Sequence, residues 1–274
     1  MSLINKVIEE SKRISSLLGE RPARLAGLSF LLVVVLLVYS LFGSHILSSA
    51  PTNFSNSGPK IRVTQRYLNR TFLTNHTTEA FDSSGGDLIV VCASSHSSVT
   101  MTPSDSFNNT WTSGVGPTSN GRGFDLRTAV WYAKTPKVGP GHTFTLNLST
   151  PQSLVISIFV VSGSNPSDPI DAVSTIGDDA GLRLPRADSP SITTTTNDDL
   201  LIGFAKSATA QTWKSGYGYT QQTSASSNYL DAETGFAETP GRYRSTFDLS
   251  SWTSWQAIVL AVKPAPNRQL VSSH

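Results

Sequence analysis

A single cysteine, Cys92, in 274 residues leaves no internal disulfide to form, so the folded part must be held by its core alone. Cys92 lies inside an apolar, strand-like run, DLIVVCAS, where a buried and inert thiol is expected. Histidine is scarce too. His76, His96, His142 and His274 are scattered, and no HxH, HExxH or paired CxxC spacing offers a zinc site. No GxSxG elbow appears, which leaves a Ser-His-Asp hydrolase without a local signature. Charged residues make up only 15% of the chain. Five of the 21 basic and three of the 19 acidic residues precede Ser48, so the remainder balances to about zero. Without a basic excess there is little counterion release to gain, which argues against a nucleic-acid partner.

What is present begins with LAGLSFLLVVVLLVYSLF, Leu25–Phe42, a run with no charged side chain. As a helix it spans about 27 Å, close to the roughly 30 Å hydrocarbon core of a bilayer. Lys6, Lys12, Arg13, Arg21 and Arg24 precede it, and the next Lys or Arg is Lys60. The positive-inside rule then makes residues 1–24 a cytoplasmic tail, residues 25–47 a signal-anchor, and everything after Ser48 extracellular or periplasmic. The competing reading is a signal peptide cut after Ala50. Against it, the apolar run is long for that role and Pro51 follows the cut. In the tail, Ile4, Val7, Ile8, Ile14, Leu17 and Leu18 recur at near-helical spacing. They fit an amphipathic helix on the inner leaflet, or a tail that merely supplies charge. Residues 48–60, containing PTNFSNSGP, read as a polar linker, and residues 265–274 as a tail.

Residues 61–264 read as all-β. Short segments rich in Val, Ile, Thr and aromatics, bounded by Gly, Pro, Asn, Asp or Ser, predict strands. These are Arg62–Arg66, Asp87–Ala93, Val99–Thr102, Asp125–Ala133, Thr143–Leu148, Leu154–Val161, Ser191–Thr195, Leu200–Ala205, Gly218–Gln222, Tyr229–Phe236, Tyr243–Leu249 and Trp255–Val262. Many short strands and no sustained helical period point to an antiparallel β-sandwich of jelly-roll or immunoglobulin-like type.

Four similarities in the same order suggest two related halves, about 85–162 and 197–263. GGDLIVVCASS matches NDDLLIGFAKS, YAKTP matches FAETP, GHTFTLNLS matches GRYRSTFDLS, and LVISIFVV matches WQAIVLAV. Each half has too few strong strands to cover both faces of a sheet, so the halves are expected to pack face to face, or to interleave as paired Greek keys, around one closed core. The near-continuous run LVISIFVV predicts a central strand covered on both faces. Taken together, DLIVVCAS, FNNTW, AVWYAKTP, GHTFTLNLS, LVISIFVVSG, DDLLIGFAKS, GYGYT and GRYRSTFDLSSWTSWQAIVLAVKP resemble uncharacterised β-sandwich domains of bacterial exported and phage-associated proteins. That resemblance implies extracellular adhesion or structural display and carries over no functional residue.

Candidate site residues are few. Trp213, Tyr217 and Tyr219 in QTWKSGYGYTQQ, with Trp111 in DSFNNTWTSG, could form a platform on which sugar rings stack. Equally, they could cap sandwich edges with their rings buried. Trp131, Trp252 and Trp255 are expected to be packing residues. Asp168, Asp171, Asp178 and Asp179 fall in the stretch joining the halves. Asp171, Asp178 and Asp179 are the candidate Ca²⁺ ligands, although their spacing matches no EF-hand and Asp is a common turn residue. No other cofactor is indicated. Sequons begin at Asn53, Asn69, Asn75, Asn108 and Asn147, a weak signal in a chain so rich in Asn, Ser and Thr. The reading is therefore a membrane-tethered, non-catalytic module for adhesion, surface assembly or ligand display. The alternative is a carbohydrate-binding or carbohydrate-active protein.

Overall fold

The computed structural model describes residues 58–96, 99–119, 126–178, 184–222 and 229–266. The expected tail, anchor and most of the linker lie outside these residues, as do Asp179 and residues 267–274. Every strand pairing is antiparallel, and no helix occurs among the described residues.

Two six-stranded sheets carry the fold. The first runs β1 (Lys60–Thr77), β6 (Phe144–Ser162), β2 (Leu88–His96), β5 (Leu126–Lys134), β4 (Thr112–Ser119), with β3 (Met101–Asp105) paired to the early part of β6. The second runs β13 (Thr220–Gln221), β14 (Leu230–Ala237), β11 (Asp199–Ser207), β17 (Trp255–Val262), β7 (Ile170–Val173), with β8 (Gly177–Asp178) also on β17. Two small sheets complete the second half: β12 (Trp213–Ser215), β16 (Thr246–Leu249) and β9 (Arg186–Asp188), and the pair β10 (Ile192–Thr193) with β15 (Arg242–Tyr243).

The pairing scheme recurs between halves. β2 lies between β5 and β6 as β11 lies between β14 and β17. β3 pairs with residues 144–148 of β6, and β12 pairs with β16, whose Leu249 matches Leu148 in the repeat. β4 flanks β5 as β13 flanks β14. The long strand β1 does in one piece what β7, β8 and β9 do in three.

Strand alternation explains the layers. Leu88, Val90 and Cys92 of β2, with Val155, Phe159 and Val161 of β6, meet Leu200, Ile202 and Phe204 of β11 and Ile258, Leu260 and Val262 of β17 in one core between the halves. The opposite face of the first sheet is not left to solvent. Ile89, Val91, Ile156, Ile158 and Val160 pack under Met101, Phe144 and Leu146 from the strands that fold back over them. On the second sheet, Ala205, Trp255 and Ala257 are covered by Trp213 and Phe247, and Leu201, Val259 and Ala261 by Ile192 and Tyr243. There are thus three apolar layers where one closed core is expected from the sequence. Each half builds its own outer layer from short strands the sequence under-reads.

LVISIFVV is covered on both faces as expected, and Cys92 is fully buried, its thiol pushed up in pKa by desolvation. Two predicted strands, 143–148 and 154–161, are one continuous β6, while β4, β7, β8, β9 and β12 were not anticipated. Trp131 and Trp255 are buried, but Trp252 is 71% exposed, a correction to its expected packing role. It sits in the turn between β16 and β17, where no second layer reaches it.

Candidate functional site

At one end of the inter-half core the facing residues turn polar. On β11 the inward positions read Leu200, Ile202, Phe204, Lys206, and on β2 Leu88, Val90, Cys92, Ser94, His96. Thr128 and Gln256 continue this polar end, with Thr128 Oγ1 donating to Gln256 Oε1 at 2.7 Å across the halves. Beyond them opens a cleft of about 340 Å³, lined by Leu68, Asn69, Arg70, Ser94, His96, Ser153, Leu154, Val155, Lys206, Ala208 and Tyr229.

Local structure aims the cations into it. Pairing of β1 with β6 shifts register between Asn69 and Leu73, so Arg70, Thr71 and Phe72 leave the ladder. Asn69 Oδ1 accepts from Thr71 N at 2.8 Å, closing that bulge. The Arg70 guanidinium carbon then lies 4.8 Å from the centroid of the Tyr229 ring. Lys206 Nζ lies 4.8 Å from the same centroid and donates to Ser207 O at 2.5 Å. Both are cation–π contacts. Neither Arg70 nor Lys206 forms an ion pair with a carboxylate among the described residues, and neither nitrogen of the His96 ring has a hydrogen-bond partner there.

The electrostatics follow from that isolation. Lys206 is only 3% exposed. Burial brings its pKa down to about 7, with Arg70 repulsion adding to the effect. Burial, and then Lys206, hold His96 below the ordinary histidine range. The cleft is thus a place where positive charge is disfavoured until negative charge enters.

No protein-family model, curated protein or solved structure matches the chain. The site's chemistry therefore rests on its geometry.

The aromatic residues singled out in the sequence do not converge. Trp213 is 8% exposed and packs edge-to-face on Phe247, ring centroids 5.9 Å apart. Trp111 packs against the outer core of the first half, donating from Nε1 to Asp105 Oδ2 at 2.9 Å. Tyr219 packs against that of the second half and donates to Arg244 O at 3.0 Å. By topology Trp111, just before β4, corresponds to Tyr219, just before β13, whereas Trp213 takes the place of Met101. Tyr217 alone is fully exposed.

Nor do the acidic residues gather. Asp178 pairs with Gln256, near the start of β17, while Asp171 lies beside its far end, next to the Ala172–Ala261 pair. Five residues of strand put them about 17 Å apart, too far to share one ion. No group of three or more His, Cys, Asp or Glu side chains among the described residues is placed to hold a metal. Asp171 is otherwise engaged. Thr195 donates to it from N and Oγ1, both at 2.5 Å, and Lys263 Nζ lies 3.6 Å away. Burial opposes its ionisation, but the Thr195 hydrogen bonds hold its carboxyl below the usual range. Its neighbour Asp199 is fully buried and pushed up to about 7, by burial first and then by Asp171. This carboxyl pair ties the strand connecting the halves to β11.

One arrangement mimics a hydrolytic triad. Ser83 Oγ and His142 Nδ1 are 2.8 Å apart, and His142 Nε2 lies 3.7 Å from Asp105 Oδ1. Ser83 Oγ already accepts from Gly139 N at 3.0 Å and faces Gly139 O at 3.2 Å. His142 is clamped between Phe81 and Phe107 at centroid distances of 5.0 and 4.8 Å. Both Ser83 and His142 are buried, and 3.7 Å is no hydrogen bond. A substrate has no access, so the trio is structural.

Proposed function

We propose that this chain is a membrane-tethered binding module whose ligand is anionic and sits in the cleft between the halves. In this reading Leu25–Phe42 anchors the chain, the polar linker gives reach, and two copies of one duplicated β unit stand outside the membrane for adhesion or ligand display. The recurrence of the whole pairing scheme supports duplication beyond the sequence similarities.

One observation carries the ligand reading: Lys206 is 3% exposed and lacks a carboxylate partner among the described residues, while Arg70 faces the same cleft. A buried, uncompensated ammonium destabilises a fold. A ligand supplying negative charge turns that liability into affinity, and Arg70 adds a planar fork suited to carboxylate or phosphate. Among the described residues no carboxylate lines the cleft, so they do not supply the acid pair a glycosidase mechanism requires.

The test presents immobilised acidic and neutral glycans, carboxylates and sulfates to full-length wild type, Arg70→Gln and Lys206→Met. The expected result is retention on acidic ligands alone, lost in both variants. Equal retention of neutral ligands by all three proteins would refute the reading. Protease protection of an N-terminal tag in sealed vesicles tests the topology: the tag should survive while the β domain is cleaved or shaved.

A further inference from the structure

We infer that Lys206 is a nucleophilic amine, and that the cleft captures oxo acids by joining their carbonyl carbon to Lys206 Nζ as an imine. This rests on the anion-binding reading above and adds a covalent step to it.

Lys206 differs from the other described lysines in what surrounds it. Lys60, Lys134, Lys137 and Lys214 are exposed, and Lys263 is held by Asp168 at 2.6 Å and Asp171 at 3.6 Å. Lys206 is buried in the wall of the cleft, with no carboxylate partner among the described residues. Its nitrogen lies 4.8 Å from the Tyr229 ring centroid, and the Arg70 guanidinium carbon lies at the same distance. Burial and a neighbouring cation both favour the uncharged amine, the form that adds to carbonyls. About half of Lys206 is therefore uncharged near pH 7, where an ordinary lysine is uncharged in roughly one molecule per few thousand. Arg70 stays charged and is exposed, so it can hold the carboxylate of the same molecule. The His96 ring, Ser153 and the Tyr229 hydroxyl line the cleft with no hydrogen-bond partner among the described residues. Groups able to pass a proton to a carbonyl oxygen thus share the space. The step balances without a co-reactant. Nζ adds to the carbonyl carbon while a proton passes from nitrogen to oxygen, giving a carbinolamine. Its hydroxyl then leaves with a second proton from nitrogen as one water, and a C=N bond remains. The cleft, at about 340 Å³, admits a small oxo acid.

The experiment exposes full-length wild type, Arg70→Gln and Lys206→Met to pyruvate, to 4-oxopentanoate and to the neutral butanone, each with cyanoborohydride, which fixes an imine by adding hydride to its carbon. Peptide mass mapping locates any adduct, which adds the mass of the carbonyl compound less one oxygen. Propionate, a carboxylate with no carbonyl to attack, is titrated calorimetrically against the same proteins. Arg70 is exposed, so its variant is expected to fold even if the Lys206 variant does not. The expected result is one adduct on Lys206 at pH 7, at least about tenfold above that on any exposed lysine. The better oxo acid should label at least about tenfold faster than butanone, and Arg70→Gln should lose that preference. Lys206→Met should keep only the labelling of exposed lysines. Propionate binding with no adduct on Lys206 would overturn the covalent step and leave the anion site standing. Labelling of Lys206 by butanone as fast as by both oxo acids would overturn the oxo-acid assignment. Absence of both the adduct on Lys206 and propionate binding would overturn the anion site and this inference with it.

Discussion

Replacing Lys206 by methionine should stabilise the protein, and by an amount that depends on pH. The side chain is almost wholly buried, and its pKa falls from 10.5 to about 7. Between those values the unfolded chain holds a proton that the folded chain has lost, so wild-type stability rises with pH from about 7 to about 10.5. At about 1.4 kcal/mol per pKa unit, the full difference is between 4 and 5 kcal/mol, an upper estimate present at and below about pH 7. Methionine is unbranched, fills nearly the same space and carries no charge. It forfeits the hydrogen bond to Ser207 O, worth about 1 kcal/mol. The net expectation is a gain of about 3 kcal/mol at pH 6.5, shrinking to near zero by pH 9.5. Urea unfolding followed by tryptophan fluorescence at pH 6.5, 8 and 9.5 reads this directly, because other titrating groups are common to both proteins and cancel. A variant less stable than wild type at pH 6.5, or a difference that does not change with pH, would mean that the amine is not held in an uncompensated site.

Anion binding should take up protons near neutrality and weaken as pH rises above about 7, because the cleft holds an anion best when Lys206 is charged; titration in buffers of different ionisation enthalpy measures the uptake. Trp213→Ala should cost about 3–5 kcal/mol, as expected for a buried aromatic, while Tyr217→Ala should stay within about 0.5 kcal/mol, both read from denaturant midpoints. Asp199 ionises only at about pH 7 in the folded state against 3.8 ordinarily, so its contribution to stability falls as pH rises from about 4 to 7. Asp199→Asn, which removes the buried carboxylate, should therefore be more stable than wild type at pH 8, by at most about 4 kcal/mol, and indistinguishable at pH 4.

The sequence announced the all-β class because the central strands are short, near-continuous apolar runs bounded by turn residues, as strands buried on both faces must be. β2, β11 and β17 are legible in this way. The strands that were missed are short or polar: β8 is Gly177–Asp178, β12 is Trp213–Ser215, and β4 is the Gly- and Ser-rich TSGVGPTS. Their hydrogen bonds come from neighbours far along the chain, which local pattern does not reveal. Missing them hid the outer layers and left Trp213 open between a loop platform and a buried cap, where the structure shows a core residue packed on Phe247. The cleft had one readable signal. In DLLIGFAKS the alternation Leu200, Ile202, Phe204 carries Lys206 onto the inward face, and a lysine there is an anomaly that calls for an explanation. Arg70 gave none, because its position depends on a bulge created by β1 sliding against β6.

The cleft is also where the two halves stop being alike. Aligning GGDLIVVCASS with NDDLLIGFAKS sets Ser94 against Lys206, and aligning the last strands sets Val155 against Gln256. The ladders agree: Ser94 pairs with Val155 and Thr128, Lys206 with Gln256 and Leu230. Thr128 and Leu230 are therefore counterparts, as are Val155 and Gln256. Across the junction, Thr128 hydrogen-bonds Gln256, whereas their counterparts Leu230 and Val155 belong to the same apolar core. Two identical copies would have met there with matching residues, either both apolar or both polar. In this chain one contact is apolar and the other polar, and a single lysine stands where the other copy has serine. The fold's own stability gains nothing from that lysine, since burying it uncompensated is unfavourable. A residue that costs stability and breaks the likeness of two otherwise matching strands, at the mouth of a cleft, is better explained by what enters the cleft than by what holds the sheets together.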